Sequence, residues 1–345
     1  MLLFLSEQAP PCHFYAFCAE SQTVEAALQL LTDCAPDVRV ISGGTDLLPN
    51  MKLAQTKPGH VVSVKFLEEL HGITRSETHL RIGAAVGLQE LADDPDVQEV
   101  LPALAYAASR IASPQIRKMG TLGGNINLDT RCRYINQSEL WREALGGCLK
   151  SHGTECHVVP GGQGCVAALS ADTVPPLIVY GAVVEIASAL GTRKVPIQEL
   201  FVQDGTWHIR IAKEELLLAV EIPIPSAQTR VAYRKWAVRQ SIDFPLVSVA
   251  VRLDVSDGGW ADGKLAGGLI AVGALGPRPR VLPLGSYAGW ALDEDLAQAL
   301  GQMIYDRARP LPNLPYDAEY RRERMVIEVR RAVRVMAGLP EKPLA

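Results

Sequence analysis

Four cysteines in one short stretch, Cys132, Cys148, Cys156 and Cys165, restrict what this chain can fold into more than any other feature. Their spacing is C-x15-C-x7-C-x8-C, and glycines (Gly146, Gly147, Gly161, Gly162, Gly164) and polar residues lie between them. Such a stretch has little apolar surface on which to fold, so a group held by the sulfurs is a natural core. Thiolates are soft ligands, and four of them suit a tetrahedral zinc ion or an iron–sulfur cluster. Structural zinc sites usually present sulfurs in tight C-x2-C pairs, and none occurs here. A [4Fe–4S] cube has four separate corners and accepts wide spacing, and flanking glycines let backbone approach it. Free thiols or disulfides are the third reading; disulfides need an oxidising compartment, for which the chain carries no signal. His152 and His157 share the stretch, where histidines are more often surface residues than ligands. Residue types alone leave these readings open.

The remainder is ordinary in composition. With 345 residues, 48% of them hydrophobic and 21% charged, the chain can bury two or three cores. The net charge is -4 and the pI about 6.0, without blocks of like charge that would suit nucleic acid or a membrane surface. The leading MLLFL has no basic region before it and makes a poor signal peptide. No run of 18 apolar residues is present, so no membrane span is expected, and the expected location is the cytoplasm. Cys12, Cys18 and Cys34, far from the cysteine stretch, read as plain thiols.

In chain order, strands and helices alternate. A strand is expected at 12–18. A helix capped by Thr23 follows, with Ala26, Ala27, Leu30 and Leu31 on its apolar face. A strand at 38–41 runs into Ser42-Gly43-Gly44-Thr45-Asp46-Leu47. Strand followed by Gly-Gly turn is a recurrent way of binding phosphate through backbone N–H groups; a plain tight turn is an equal reading. Neither GxGxxG nor GxxxxGK[ST] occurs, so a dinucleotide-binding Rossmann unit and a P-loop lack support. Strands are expected at 61–64 and 80–85, and helices at 87–94 and 100–111, the second ended by Ser113-Pro114. Gly120-Thr121-Leu122-Gly123-Gly124-Asn125-Ile126 is a second glycine turn. Two such turns facing one diphosphate form a more specific pattern than either alone. Asp172 precedes a helix with proline in its first turn, either as a cap or as an acceptor for a ribose hydroxyl. A hairpin at 183–196 and a strand at 216–222 lead to a Pro-rich stretch, 223–228, the best domain boundary. Beyond it, strands are expected within 231–255 and at 265–275, and helices at 293–304 and 316–336. The arginines of the last helix (Arg321, Arg322, Arg324, Arg330, Arg331, Arg334) read as a solvated face or a subunit contact.

Both glycine turns, Asp172 before its apolar helix, Tyr233-Arg234-Lys235 and Asp243 together resemble the FAD-binding medium subunits of the xanthine dehydrogenase family of molybdenum enzymes. The resemblance covers roughly 13–340. It implies an α+β chain. An FAD-binding domain of the vanillyl-alcohol-oxidase (PCMH) type would span 1–228, in two α/β subdomains at about 1–65 and 66–228. The cysteine loop would be inserted at about 129–168. A small C-terminal domain of antiparallel sheet and helices would span 229–345. FAD would contact Ile41, Ser42, Gly43, Gly44, Thr45, Asp46, Leu47, Ile111, Thr121, Gly123, Gly124, Asn125, Asp172, Leu217 and Lys235, with no catalytic acid or base on this chain. At Phe244-Pro245 the chain departs from the family, where small or aliphatic residues are usual after the Asp.

Most such subunits lack the cysteine loop. Its spacing, with Asp129-Thr130-Arg131-Cys132 and Asn136-Gln137-Ser138-Glu139, resembles a branch of the family in which Cys132, Cys148, Cys156 and Cys165 would hold a [4Fe–4S] cluster. Partners would be a large molybdenum-cofactor subunit and a small subunit with two [2Fe–2S] clusters, in a dimer of heterotrimers. Ferredoxin would be the electron donor, and the partner's molybdenum centre would remove a phenolic hydroxyl from an aromatic CoA thioester. FAD joins one- and two-electron carriers. The alternatives are a medium subunit of another molybdenum hydroxylase, with electrons flowing outward, and an interaction subunit whose loop is stabilised by zinc. Between 129 and 165 four acids (Asp129, Glu139, Glu143, Glu155) meet four bases (Arg131, Arg133, Arg142, Lys150). The local sum is zero, so sequence charge does not set the cluster potential.

Overall fold

The computed structural model describes residues 17–256 and 258–340, and three sheets organise them. The first is parallel, in the order β1 (Phe17–Glu20), β3 (His60–Ser63), β2 (Val38–Ile41). The strand expected at 12–18 lies largely outside the described residues, which begin at β1. The helix Val24–Asp33 covers this sheet and buries Val24, Ala27, Leu28 and Leu31. Thr23 caps it as expected, its hydroxyl accepting from the Ala26 amide at 3.1 Å.

The second sheet is antiparallel, in the order β4 (Ile73–Arg75), β5 (His79–Gly83), β8 (Leu216–Pro223), β6 (Val183–Ser188), β7 (Gly191–Pro196). The region 87–111, expected as two helices, forms three: Leu88–Asp93, Pro95–Val100 and Pro102–Ser109. Pro95 and Pro102 each start a new helix, since proline has no N–H for a preceding turn but fits the first helical position. Ser113 does not end a helix; it caps the next one, Pro114–Met119, its Oγ accepting from the Ile116 amide at 3.4 Å.

The third sheet is antiparallel, in the order β12 (Arg280–Pro283), β11 (Leu265–Gly273), β10 (Val247–Val255), β9 (Thr229–Trp236). Alternation along β10 divides its side chains between two cores. Val247, Val249, Val251 and Leu253 pack with the helices Glu294–Arg307 and Ala318–Ala337. Ala250 faces the larger core shared by the first two sheets and the wholly buried helix Val174–Tyr180. The arginines of Ala318–Ala337 do not form a uniformly solvated face. Arg321 is fully buried, and its guanidinium donates to the carbonyls of Leu246, Leu311 and Ala274 at 2.6–3.0 Å.

The cysteine loop leaves the second sheet's helical layer and returns to it at one place. Arg131 and Ala168 pair as an isolated antiparallel bridge, with N–H···O distances of 2.8 and 2.7 Å. Between them only Glu139–Ala144 is regular helix. The loop is held by polar ties. The Arg142 guanidinium donates to the carbonyls of Leu53 and Ala54, both at 3.0 Å. Asn313, fully buried, accepts from the Arg133 amide at 2.7 Å and donates through Nδ2 to Val166 at 2.7 Å. Among the described residues no helix is long and apolar enough to cross a membrane.

Candidate functional site

The two glycine turns touch. β2 delivers Gly43 against the end of helix Pro114–Met119, where a Cβ on Gly43 would stand 1.8 Å from the Met119 carbonyl oxygen. Gly44 follows at φ +69°, a conformation that glycine adopts without steric cost. On the second turn Thr121 caps the short helix Leu122–Ile126, accepting from the Gly124 amide at 3.2 Å. Gly123 packs on Ala84, 2.8 Å from where a Cβ would sit. A Cβ on Gly124 would approach only the Thr121 hydroxyl, at 3.1 Å.

Both turns line one cavity of about 870 Å³, at the upper end for small-molecule sites. Its wall includes Ile41, Ser42, Gly43, Gly44, Thr45, Asp46, Leu47, Ile111, Thr121, Gly123, Gly124, Asn125, Asp172 and Leu217. These are the expected flavin contacts with one exception. Lys235 stands behind Asp172, donating to its Oδ2 at 2.9 Å and to the Arg110 carbonyl at 3.0 Å. Tyr233 donates to the other carboxylate oxygen at 2.5 Å. Asp172 does not cap its helix: Thr173 holds the N-cap position, and no side chain accepts there. Burial raises the pKa of Asp172, against the opposing pull of Lys235 and Tyr233.

Residues outside the expected flavin contacts complete the wall. Arg131 donates to Asp46 at 2.5 Å, and its guanidinium lies 3.7 Å from the centre of the Phe244 ring. Burial raises the pKa of Asp46, which Arg131 counteracts. His208 is pushed down to about 4 by burial, so its imidazole is neutral at neutral pH. Burial beside Arg39 pushes Lys213 down to about 8.

A second, much smaller cavity is lined by all four loop cysteines, together with Tyr134, Ile135 and His157. Cys132, Cys156 and Cys165 are buried and Cys148 half-buried, and none is in a disulfide. Burial pushes the Cys165 thiol up to about 11 and raises Cys132 as well. Tyr134 packs against His157 and Trp141, with ring centres 5.1 and 6.1 Å apart. The His157 Nε2 pairs with the Gly147 carbonyl at 2.5 Å. Among the described residues no three His, Cys, Asp or Glu side chains converge to hold a single metal ion. Cys34 lies apart from this cavity, and Cys12 and the Cys18 side chain lie outside the described residues.

Residues 14–225 match the family described as FAD binding domain in molybdopterin dehydrogenase. This chain belongs to that family. The flavoprotein is 32% identical to an aldehyde oxidoreductase FAD-binding subunit of Escherichia coli over 304 residues, 84% of this chain and 89% of that one. It is 32% identical to a xanthine dehydrogenase FAD-binding subunit of Escherichia coli over 251 residues, 72% of each chain. Its fold is that of the carbon monoxide dehydrogenase medium subunit. A solved carbon monoxide dehydrogenase of Hydrogenophaga pseudoflava superposes with a TM-score of 0.75 at 24% identity, covering 94% of this chain and 97% of that one. The flavoprotein is thus an FAD subunit of the molybdenum hydroxylase type, with a PCMH-type FAD domain and a sheet-rich C-terminal part.

The cavity suits FAD on its own geometry. Gly43 and Gly123 let the two turns pack closely on Met119 and Ala84 at the cavity wall, and no described acceptor takes the Gly43, Gly44 and Thr45 amides. Such amides are suited to phosphate oxygens.

Proposed function

We propose that this flavoprotein is the electron-transfer subunit of a molybdenum enzyme of the 4-hydroxybenzoyl-CoA reductase type. Its large cavity takes FAD, and Cys132, Cys148, Cys156 and Cys165 take one [4Fe–4S] cluster. The observation that carries the reading is the meeting of all four thiols on one small cavity that shares a wall with the flavin cavity. Thiols spread round a cavity suit the separate corners of a cube better than the single point a zinc ion requires. Four buried thiols would otherwise be an unusual core for a polar loop.

In this reading electrons arrive from ferredoxin and leave through [2Fe–2S] clusters of a small partner subunit. They reach molybdenum on a large one, where 4-hydroxybenzoyl-CoA becomes benzoyl-CoA. FAD, when bound, exchanges one or two electrons and so joins single-electron carriers. This chain's own residues bind and orient. The glycine turns receive the diphosphate, Asp172 meets the ribose or adenosine portion, and Arg131 with Phe244 closes the cavity beside the loop.

Metal analysis tests the cluster directly. Iron and acid-labile sulfide near four per chain are expected, and a single zinc would overturn it. Ferredoxin-driven reduction of 4-hydroxybenzoyl-CoA by the assembled enzyme tests the role. The relatives named for xanthine and aldehyde oxidation favour a second reading, a hydroxylase subunit with outward electron flow. Substrate oxidation without ferredoxin-driven reduction would select it.

A further inference from the structure

Leu149 and Lys150 are the two residues that line both the flavin cavity and the cysteine cavity. Lys150 is buried, its side chain 10% exposed. Its ammonium donates to Asp129 Oδ1 at 2.6 Å, to the Gly205 carbonyl at 2.7 Å and to the Thr130 hydroxyl. Gly205 in turn abuts the cysteine centre. Its amide donates to the Cys165 carbonyl at 2.8 Å, and a Cβ on it would lie 2.8 Å from Cys165 Sγ. Asp129 lines the flavin cavity but not the cysteine cavity. The ion pair therefore spans the wall in one sense, with the carboxylate toward the flavin and the ammonium toward the thiols.

We infer that the Lys150–Asp129 pair is a fixed dipole across this wall that sets the difference in reduction potential between the two redox groups. The inference rests on the cluster assignment proposed above. Each group gains negative charge when it accepts an electron, and a buried cation nearby favours that while a buried anion opposes it. Lys150, with its side chain 10% exposed, is weakly screened, whereas Asp129, 46% exposed, is screened more. On the other side, burial would raise Asp129, but the adjacent ammonium holds it below the usual carboxylate range. The cysteine side experiences mainly the cation and the flavin side mainly the anion, which raises the cluster's potential relative to the flavin's compared with a wall without the pair.

Potentiometric titration of the full-length protein, following flavin absorbance and the cluster's paramagnetic resonance, tests this with K150M, K150R and D129N. K57M, at an exposed ion pair on the same loop, is the control. K150M should move both midpoint potentials negative, the cluster's more; D129N should move both positive, the flavin's more; K150R and K57M should stay near wild type. Unchanged potentials in K150M with full FAD and iron content would overturn the inference, as would equal shifts of both groups in every variant. If K150M loses a cofactor, the asymmetry in D129N decides. If the wild-type protein holds no iron, the cluster reading fails separately. The flavin potential alone then tests the charge, and its constancy in K150M and D129N would overturn it.

Discussion

Asp172 and Lys235 are almost completely buried, their side chains 4% and 6% exposed, and each has a charged partner in the other. Breaking a buried pair from one side strands the remaining charge at about 3–5 kcal/mol. Asp172→Asn should therefore destabilise the protein by about that much in urea unfolding, and Asp172→Leu with Lys235→Met by distinctly less. It should also lower FAD occupancy; full occupancy at lowered stability would leave Asp172 a purely structural role. The glycines separate fold from ligand in the same way. Gly43→Ala drives a methyl group into the Met119 carbonyl and should cost stability as well as flavin. Gly124→Leu meets no backbone, so the apoprotein should melt near wild type yet bind FAD poorly. The glycines and Asp172 were legible in the sequence because their chemistry is local: a turn that needs no side chain, an acid before an apolar helix. Arg131 and Phe244 stood out in the sequence, but their pairing did not, nor did the role of Lys150, because these come from partners far along the chain, such as Asp46 and Gly205.

Among the elements, the helices Glu294–Arg307 and Ala318–Ala337 are joined at their ends by Glu294, which accepts from Arg334 at 2.8 and 2.6 Å and from Arg330 at 3.3 Å. These bonds, chiefly that to Arg334, hold the Glu294 carboxyl below its usual range. A depressed carboxylate contributes stability above its unfolded pKa and loses it as pH falls through the folded one. Glu294→Gln should thus cost about 1 kcal/mol at neutral pH, and the gap to wild type should close below about pH 4. A gap independent of pH in parallel thermal melts would mean that packing, not charge, is what the substitution removes. Most element positions followed from periodicity and caps, as with Thr23 and with the β6–β7 hairpin. The misreadings at Pro95, where a whole helix was missed, and at Ser113 share one cause, since the same residues that stop a helix also begin one. Arg321 was misread because a helix rich in arginine and glutamate looks solvated throughout, and only packing shows which arginine turns inward.

At the scale of the whole molecule, flavin and cysteine sites share a wall but draw on different residues. Cys148→Ser should therefore lose iron and ferredoxin-driven turnover while retaining FAD, with Cys34→Ser as an unaffected control; loss of flavin together with iron would show the two sites to be one folding unit. The FAD-binding part and the sheet-rich C-terminal part followed from the family resemblance, whereas the strand and helix pattern alone gave neither the three sheets nor how they share their cores. The packing of the third sheet's inner face onto the larger core was not readable, because small residues such as Ala250 and Ala271 carry no signal of which core they join. The bridge between Arg131 and Ala168 has a consequence for the loop's origin. A hydrogen-bonded antiparallel pair is the spacing that a two-residue turn closes, so the chain could pass from Arg131 to Ala168 through Asn-Gly with no shift of the surrounding backbone. The whole cysteine segment is in that sense a removable cassette, spliced into a parent flavoprotein at a point that already had the shape of a hairpin. A shortened chain made this way should still fold and bind FAD. It would leave the Asn313 main-chain carbonyl without its Arg133 donor, at about 1–3 kcal/mol, while the Asn313 amide loses Val166 but keeps Leu275 as an acceptor. Replacing Asn313 by leucine should therefore cost stability in the shortened chain as well as in the full-length protein, because it also removes the bonds to Leu275 and Arg321.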